Sequence, residues 1–326
     1  MKIYRYLLAG LCAFILIGMY FFLTSNQAGE AEKNQRDLVV GAYVYSVPVP
    51  DYVEFCGKKI NLDRYDMHER YDREINAFAY LHSTTMLLIK RANRFFPVIE
   101  PILRKYNIPD DFKYLAVIES NLNPRAISTA KAAGLWQFMS DTAKKYGLEV
   151  NNQVDERYHI EKATEAACQY LNDAYSQYGD WAAVAASYNA GMGRISSELS
   201  NQMADNPFDL LLVEETSRYV FRIMAAKEIF KNPSRYGFIL RRDDLYPVIR
   251  TKKVQVSDNI PDLAAFAQDN NISYFQLKEF NPWLRDRSLT LSTKNPKTYT
   301  IEIPVVDDLF YSRNKIKVHD KNWVVD

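Results

Sequence analysis

The chain has 326 residues, 48% of them apolar, which is enough to bury a sizeable core and predicts two or three folded units. Its 41 basic and 40 acidic residues leave a net charge of +1, so composition gives no electrostatic basis for nucleic-acid binding. The three cysteines show no Cys-x-x-Cys or Cys/His spacing, which argues against a structural metal site. Cys56 and Cys168 can either pair in an oxidising compartment or stay buried and free.

The N-terminal segment is apolar over residues 6–23, and Lys2 and Arg5 precede it. These 18 residues are enough to span a bilayer and are long for the core of a signal peptide. The positive-inside rule places the two cations in the cytoplasm and the rest of the chain outside it. We therefore predict a signal anchor over residues 1–25, with a cleaved signal peptide as the alternative.

Residues 26–94 are predicted to form a linker and an N-terminal helical extension. The proline-containing run before residue 60 is typical of an edge strand or a wrapped segment. The pattern is helical over residues 66–94, and a separate short helix is predicted over residues 95–106, where Pro101 leaves the boundary open.

A short helix beginning near Asp110, its predicted N-cap, contains the candidate catalytic residue. Phe112, Leu115 and Ala116 form one apolar stripe at helical spacing, and Glu119 is the next member of that stripe. Burial and the negative end of the helix dipole both disfavour the charged form, so we expect a raised pKa for Glu119. A general acid near neutral pH needs such a pKa. A structural ion pair is the alternative.

The loop after this helix joins small residues to the run Leu135-Trp136-Gln137-Phe138-Met139. Sugar rings pack on aromatic faces, and amides hydrogen-bond to hydroxyls, so this loop is a candidate glycan site. The alternative is a loop that packs its tryptophan into the core.

Three longer helices are predicted in the region that follows, each with a recognisable end signal. They cover residues 161–178, ended by Gly179; residues 181–189, capped by Asp180; and residues 214–232, stopped by Pro233.

The final third changes character to a strand-helix-helix-strand order. The predicted elements are a strand at 253–256, helices at 260–268 and 274–280, and a strand at 299–304. This order resembles a LysM glycan-binding module, which we place at residues 245–305. The alternative is a small packing domain that covers the catalytic unit. Residues 306–326 are predicted to form a loose polar tail.

Five sequence blocks occur in one order: E-S-N-L-N-P-R-A-I-S at 119–128, G-L-W-Q-F-M at 134–139, T-A-K-K-Y-G-L at 142–148, S-Y-N-A-G at 187–191 and E-T-S-R-Y-V at 215–220. Together they resemble the lytic transglycosylase domain of the soluble-transglycosylase type, in the membrane-bound D-like branch. One such block is a weak signal, but five in sequence are a strong one.

The resemblance implies a mainly α fold, with a lysozyme-like helical catalytic domain over residues 95–236 and a small α+β LysM-like module. It implies action on peptidoglycan glycan strands without a metal or cofactor. Glu119 would act alone, first as acid and then as base, closing a 1,6-anhydro ring on N-acetylmuramic acid. The implied substrate-binding residues are Ser120, Ser128, Gln137, Met139, Tyr188, Asn189 and Tyr219.

Two other functions compete with this interpretation. A lysozyme-like hydrolase would need a second acid to position water, and Glu215 is the possible secondary acid. A non-catalytic cell-wall anchor would only hold glycan, but such a binder has no need of a buried acid. The expected location is the periplasm-facing cell envelope, anchored in the membrane, with a soluble periplasmic protein as the alternative.

Overall fold

The computed structural model describes residues 45–292, 296–312 and 316–325. The predicted signal anchor and the start of the linker lie outside these residues. Among the helices that the structure describes, none is long and apolar enough to cross a membrane. Every helix and strand that the structure describes lies in one compact unit within residues 47–326.

This unit begins with a β-hairpin that the sequence patterns did not predict. Strands β1 (Tyr52–Phe55) and β2 (Lys58–Asn61) are antiparallel. Cys56 and Gly57 join them with φ values of 50° and 77°. Two consecutive left-handed residues are typical of the tightest hairpin turns. Phe55 is buried, so the hairpin is packed into the core of this unit.

Two helices follow, α1 (Tyr65–Tyr80) and α2 (His82–Lys105). The prediction of one helix over residues 66–94 and another over 95–106 is therefore wrong in its boundary. The break lies at Leu81, where ψ is 57°. Both Pro97 and Pro101 lie inside α2. Each proline removes one backbone donor, but the helix continues because its buried face packs into the core.

The helix that carries Glu119 is α3 (Lys113–Ser120), preceded by a 3₁₀ turn at Asp110–Phe112. The predicted N-cap at Asp110 is wrong, because the extra turn places this residue too early. Its carboxylate instead accepts a hydrogen bond from Lys113 Nζ at 2.6 Å. The predicted apolar stripe is confirmed, since Leu115 and Ala116 are fully buried.

The other helices of this region follow α3 in the chain. They are α4 (Ser140–Lys145), α5 (Ile160–Tyr178), α6 (Trp181–Ala190), α7 (Met192–Asn201) and α8 (Glu214–Lys231). Gly179 ends α5 with φ 63°, as predicted. Asp180 caps α6, because its Oδ1 accepts from the amides of Ala182 and Ala183 at 2.8 and 3.1 Å. Small residues at 182–186 allow α6 to pack closely against its neighbours.

The C-terminal module has the predicted order. Strand β3 (Thr251–Val256) pairs antiparallel with β4 (Tyr299–Pro304), and α9 (Leu263–Asp269) and α10 (Tyr274–Phe280) lie between them in sequence. Their core includes Trp283 and extends to Val154 and Tyr158 of the preceding region. The module therefore packs directly on the helical region. The fold is mainly α with a small α+β module, as predicted.

The expected loose tail is wrong for residues 316–325. Trp323 is buried, and its Nε1 donates to the carbonyl of Phe230 at 2.8 Å. Ile316 is also buried in the main core. An apolar pair within a polar segment thus ties the chain end to α8.

Candidate active site

Glu119 lies in the last turn of α3 and faces α8. The hydroxyl of Tyr219 donates a hydrogen bond to Glu119 Oε1. Burial raises the pKa of Glu119 to about 7, as predicted, although the Tyr219 hydrogen bond and the positive charge of Arg222 act in the opposite direction. The negative charge of Glu215 adds to the increase. The carboxyl can therefore hold or release a proton near neutral pH.

Helix α8 positions Tyr219 because its buried face includes Thr216, Tyr219 and Val220. Tyr219 is 2% exposed, so its hydroxyl has a fixed direction towards the acid. The first turn of α8 is also tied to the end of α6. Thr216 Oγ1 donates to Asn189 Oδ1 at 2.7 Å, and Asn189 Nδ2 donates to Glu215 Oε1 at 3.4 Å. Glu215 itself is exposed.

Tyr188 lies at the end of α6 and connects that helix to the loop at 121–139. Its hydroxyl donates to the carbonyl of Trp136 at 2.8 Å. Its ring packs edge-on against Tyr170, with ring centres 5.1 Å apart. Burial, together with the negative charge of Glu119, raises the pKa of Tyr188 well above its usual value. The negative charge of Glu119 thus raises the pKa of both Tyr188 and Tyr219, so the three side chains lie close together.

Trp136 does not line a sugar site. It is fully buried, and its Nε1 donates to Thr164 Oγ1 on α5 at 2.9 Å. Because the indole N–H finds this partner, the ring can be buried without an unsatisfied donor. The expectation that this aromatic faces glycan is wrong, and the alternative of a core tryptophan is correct.

Gln137 and Met139 remain accessible on the same loop. Gln137 has φ 48°, and its Nε2 donates to the carbonyls of Gly134 at 2.8 Å and Ala126 at 3.3 Å. Met139 is 47% exposed. The amide group is therefore held by the loop, whereas the thioether is open to a ligand.

The two predicted serines are engaged with backbone. Ser120 Oγ is buried and donates to the carbonyl of Ala116 at 3.0 Å, within its own helix. Ser128 Oγ accepts from the amide of Ala132 at 3.0 Å and so closes the loop. Their implied roles in substrate binding stay predictions.

A buried ion pair under the loop escaped the sequence patterns. Arg157 Nη1 donates to the carbonyls of Lys131 and Phe138 at 2.9 and 3.1 Å, and its Nη2 lies 2.7 Å from Asp155 Oδ2. A Cβ added to Gly134 would lie 1.8 Å from the carbonyl oxygen of Arg157. The only sequence signal was the short spacing of Asp155 and Arg157, which is typical of an exposed polar turn.

Metal and disulfide chemistry have no visible basis in the described part of the chain. Within residues 45–292, 296–312 and 316–325, no group of three or more His, Cys, Asp or Glu side chains is arranged to hold a metal ion. Cys56 and Cys168 are both free, and only Cys168 is fully buried, so the second alternative left open by the sequence holds in full for Cys168 and in part for Cys56.

Fold and site together define a mainly helical protein with a protonatable acid beside two tyrosines and a small β-α-α-β module packed on the helical region. Residues 97–210 match the transglycosylase SLT domain family. Residues 252–307 match the soluble lytic transglycosylase C-terminal LysM-like domain. The chain therefore carries an SLT domain followed by a LysM-like domain of the type found in soluble lytic transglycosylases.

Individual relatives agree with this assignment. The chain is 30% identical over 257 residues to the membrane-bound lytic murein transglycosylase D of Escherichia coli K12, a match that covers 75% of this chain and 54% of that protein. The chain thus spans about half the length of this relative. It is 26% identical over 215 residues to the membrane-bound lytic murein transglycosylase C of Salmonella arizonae, covering 55% and 59% of the two chains.

Among solved structures, the 70 kDa soluble lytic transglycosylase of Escherichia coli matches 42% of this chain and 24% of its own, at 24% identity. The TM-score of 0.37 is too low to support a conclusion about this chain.

Proposed function

We propose that this protein is a peptidoglycan lytic transglycosylase. It would cleave the β-1,4 bond between N-acetylmuramic acid and N-acetylglucosamine and leave a 1,6-anhydro-N-acetylmuramic acid end. The observation that carries the proposal is Glu119, whose pKa is raised to about 7 and whose carboxylate accepts a hydrogen bond from Tyr219. The SLT and LysM-like domains support peptidoglycan as the substrate.

In the first step, protonated Glu119 donates its proton to the glycosidic oxygen. The bond from this oxygen to C1 of the muramoyl sugar breaks, and C1 gains oxocarbenium character. The raised pKa supports this role, because the carboxyl still holds a proton near neutral pH. After this proton transfer, the hydrogen bond from the Tyr219 hydroxyl to Oε1 stabilises the Glu119 carboxylate.

In the second step, the Glu119 carboxylate accepts the proton of the muramoyl 6-hydroxyl. The 6-oxygen attacks C1, which closes the 1,6-anhydro ring and returns Glu119 to its protonated form. Because nucleophile and electrophile belong to one sugar, the reaction benefits from a high effective molarity and needs no positioned water. One carboxyl group therefore suffices for both steps.

Gln137 and Met139 would line one side of the sugar site, and Tyr188, Asn189 and Tyr219 the other. The exposed thioether of Met139 supports this arrangement. Gln137 Oε1 accepts no hydrogen bond from the residues that the structure describes, so it is available to a sugar hydroxyl or acetamido N–H. Ser120 and Ser128 would act through the backbone that they hold.

Glu215 supports one alternative, a hydrolase. This carboxylate is exposed, and its charge contributes to the raised pKa of Glu119, so the two acids interact. In a hydrolase, Glu215 would position a water molecule for attack at C1, and the product would keep a reducing muramic acid.

The domain limits and the cellular location are part of the proposal. The catalytic unit would cover residues 95–236, and the module at 245–305 would add a second contact with glycan. Residues 1–25 would anchor the protein in the membrane, with the rest facing the periplasm. The names of the relatives, which describe membrane-bound murein transglycosylases, support this location.

Mass spectrometry of the soluble products from purified sacculi tests the proposal. Residues 26–326 should release muropeptides lighter by one water, with 1,6-anhydro ends. Reducing ends would establish the hydrolase and make Glu215 the residue to substitute next. The absence of soluble products, with binding to sacculi retained, would favour a non-catalytic cell-wall anchor.

A further inference from the structure

The turn that follows α10 in the LysM-like module is bonded to the backbone of the helical region. The amide of Asp155 donates to the carbonyl of Trp283 at 2.9 Å, and the amide of Arg285 donates to the carbonyl of Gln153 at 2.7 Å. The guanidinium of Arg285 also lies over the ring of Tyr158, 4.4 Å from its centre. These contacts fix one short segment of the helical region against the module.

Buried side chains join the same two parts of the chain. Val154 and Leu284 lie opposite each other in an antiparallel bridge, and each is at most 1% exposed. Ala133, which belongs to the loop at 121–139, is fully buried in the same cluster. The core of the module therefore includes a residue of the loop that carries Gln137.

Arg157 continues this connection from the module to the loop. Asp155, whose amide is bonded to the module, binds the guanidinium with both carboxylate oxygens, at 2.9 Å from Nε and 2.7 Å from Nη2. The third nitrogen, Nη1, donates to the carbonyls of Lys131 and Phe138. The side chains of this ion pair are at most 10% exposed, so water competes little for these bonds. A planar guanidinium fixed along one edge directs its remaining donors in one direction.

The part of the loop that Arg157 holds is connected to the acid. Two backbone hydrogen bonds between Ala133 and Phe138, of 3.0 and 3.2 Å, close a turn that contains Gln137. The hydroxyl of Tyr188, one of the two tyrosines beside Glu119, donates to another carbonyl of this turn at 2.8 Å. A displacement of the turn would therefore move Gln137 and Tyr188 relative to Glu119.

We propose that the LysM-like module is a positioning element of the active site. Its turn at 283–285 holds the backbone of Asp155, and the pair of Asp155 and Arg157 holds the turn at 133–138. Both residues of the pair are positioning residues, because they act through the loop. The inference rests on the proposed transglycosylase function and extends the catalytic unit beyond residue 236 to include the module. The rate of the reaction then depends on the module, and not only the affinity for glycan.

Leu284→Ala and Leu289→Ala are matched variants of the full chain that test this connection. Both leucines are fully buried in the module core, so the two substitutions should destabilise it to a similar extent. Leu284 lies opposite Val154 of the helical region, whereas Leu289 lies opposite Ile260 within the module. On soluble peptidoglycan strands, Leu284→Ala should lower kcat by about tenfold and change KM by less than about twofold. Leu289→Ala should leave both constants within about twofold of the wild type.

Trypsin cleavage after Lys131 measures the opening of the loop without any reaction on glycan. Lys131 is exposed, and its carbonyl accepts a hydrogen bond from Arg157. Cleavage there should be about fivefold or more faster in Leu284→Ala and in Arg157→Gln than in the wild type, and unchanged in Leu289→Ala. The double variant Arg157→Gln/Leu284→Ala should be cleaved no faster than the faster single variant, because both substitutions break one chain of contacts.

Equal kcat values and equal cleavage rates for the two leucine variants would overturn the inference, because both variants lose the same core volume. A higher KM at unchanged kcat in Leu284→Ala would overturn it as well, since the module would then only bind glycan. Thermal unfolding of each variant shows whether a lost rate reflects loss of the fold, and Leu284→Val with Leu289→Val is the milder pair for that case.

Failure of the inference is distinguishable from failure of the proposed function. If the wild type forms no 1,6-anhydro ends, the transglycosylase reaction is wrong, while cleavage after Lys131 still tests the connection between module and loop. If the wild type forms these ends and Leu284→Ala changes neither kcat nor the cleavage rate, the reaction stands and the positioning role is wrong.

Discussion

The site around Glu119 and the surface on which the LysM-like module packs have opposite effects on a glutamate. Around Glu119, burial dominates and raises the pKa of this residue to about 7. At the module, burial also acts on Glu149, but hydrogen bonds from Lys297 and Tyr299 reverse the effect and lower its pKa. The first glutamate is ready to exchange a proton, whereas the second is a fixed anion that joins two parts of the chain.

The backbone of the loop near Glu119 is strained. The loop at 121–139 contains four non-glycine residues with left-handed φ, among them Lys131 at 69° and Gln137 at 48°. Such residues are strained and need support from their surroundings. Arg157 supplies that support through the carbonyls of Lys131 and Phe138. The loop at 121–139 therefore contains strained backbone that the rest of the fold must hold in place.

Glu119→Gln removes the titratable group and should have the largest effect on activity. Formation of 1,6-anhydro ends should fall by about 10³-fold or more, because the only proposed acid and base is lost. Product analysis by mass spectrometry measures the fall. Activity within tenfold of the wild type would contradict the role of Glu119.

The same variant should be more stable than the wild type at high pH. The folded pKa of Glu119, about 7, lies above its ordinary value of 4.5. Its contribution to stability is therefore fully present below pH 4.5 and is lost as the pH rises through 7. The wild type should lose up to about 3 kcal/mol across this range and Glu119→Gln should not. Urea unfolding at pH 5 and pH 8 measures the difference.

Gly134→Ala should disturb the packing of the loop at 121–139 against Arg157. The added Cβ would lie 1.8 Å from the Arg157 carbonyl oxygen, and the residue has φ 81°. We expect a loss of about 4 kcal/mol or more in the free energy of unfolding. Gly179→Ala is the control, because it has φ 63° but open space around the Cβ, and it should cost about 1 kcal/mol. Equal costs in thermal unfolding would mean that the close contact under the loop is unimportant.

Tyr219→Phe should sharpen the comparison by shifting a single pKa. The Tyr219 hydrogen bond lowers the pKa of Glu119, so its removal should raise that pKa further. Because the acid must be protonated to act, the alkaline limb of the pH profile of kcat/KM should move to higher pH, with a rate loss of about tenfold at the optimum. Tyr178→Phe removes a hydroxyl bonded to the carbonyl of Met192, remote from the acid, and should leave the limb in place. A shift to lower pH in Tyr219→Phe would refute the role of the hydrogen bond.

Glu149→Gln should have the smallest effect and should act on stability alone. Loss of the contacts with Lys297 and Tyr299 should lower the free energy of unfolding by about 1 kcal/mol at pH 7. Since the pKa of Glu149 is depressed, its contribution is present above the ordinary glutamate pKa of 4.5 and fades as the pH falls further. The rate of product formation should not change. A large drop in rate would show that the contacts of Glu149 with the module affect the reaction at Glu119.

The periodicity of α3 was sufficient to predict Glu119 and the direction of its pKa shift, because a stripe of residues on a helix shares one environment. Local end signals likewise predicted Asp180 as a cap and Gly179 as a terminator. The strand-helix-helix-strand order of the module also followed from the pattern. In each case the relevant contacts join residues that are close in sequence or repeat with a fixed period.

Long-range partners decided the features that the patterns missed. An aromatic residue such as Trp136 can stack on a sugar ring. Its Nε1, however, donates a hydrogen bond to Thr164 Oγ1 on α5, and the ring lies in the core. Asp110 is a residue type that often caps helices, but an additional 3₁₀ turn at Asp110–Phe112 moves the start of α3 to Lys113. Trp323 lies in a polar segment, yet it is buried in the main core, where its Nε1 donates a hydrogen bond to the carbonyl of Phe230 on α8.

The sequence by itself determined the element order of the C-terminal module, the ends of several helices and the acid on the apolar stripe of α3. The tertiary structure alone decided which tyrosine contacts that acid and which arginine of α8 pairs with Glu74. The physical reason is that local periodicity specifies the face on which a side chain lies. Its charge partner comes from another helix, and only the packing of α1, α3 and α8 brings those groups within hydrogen-bond distance.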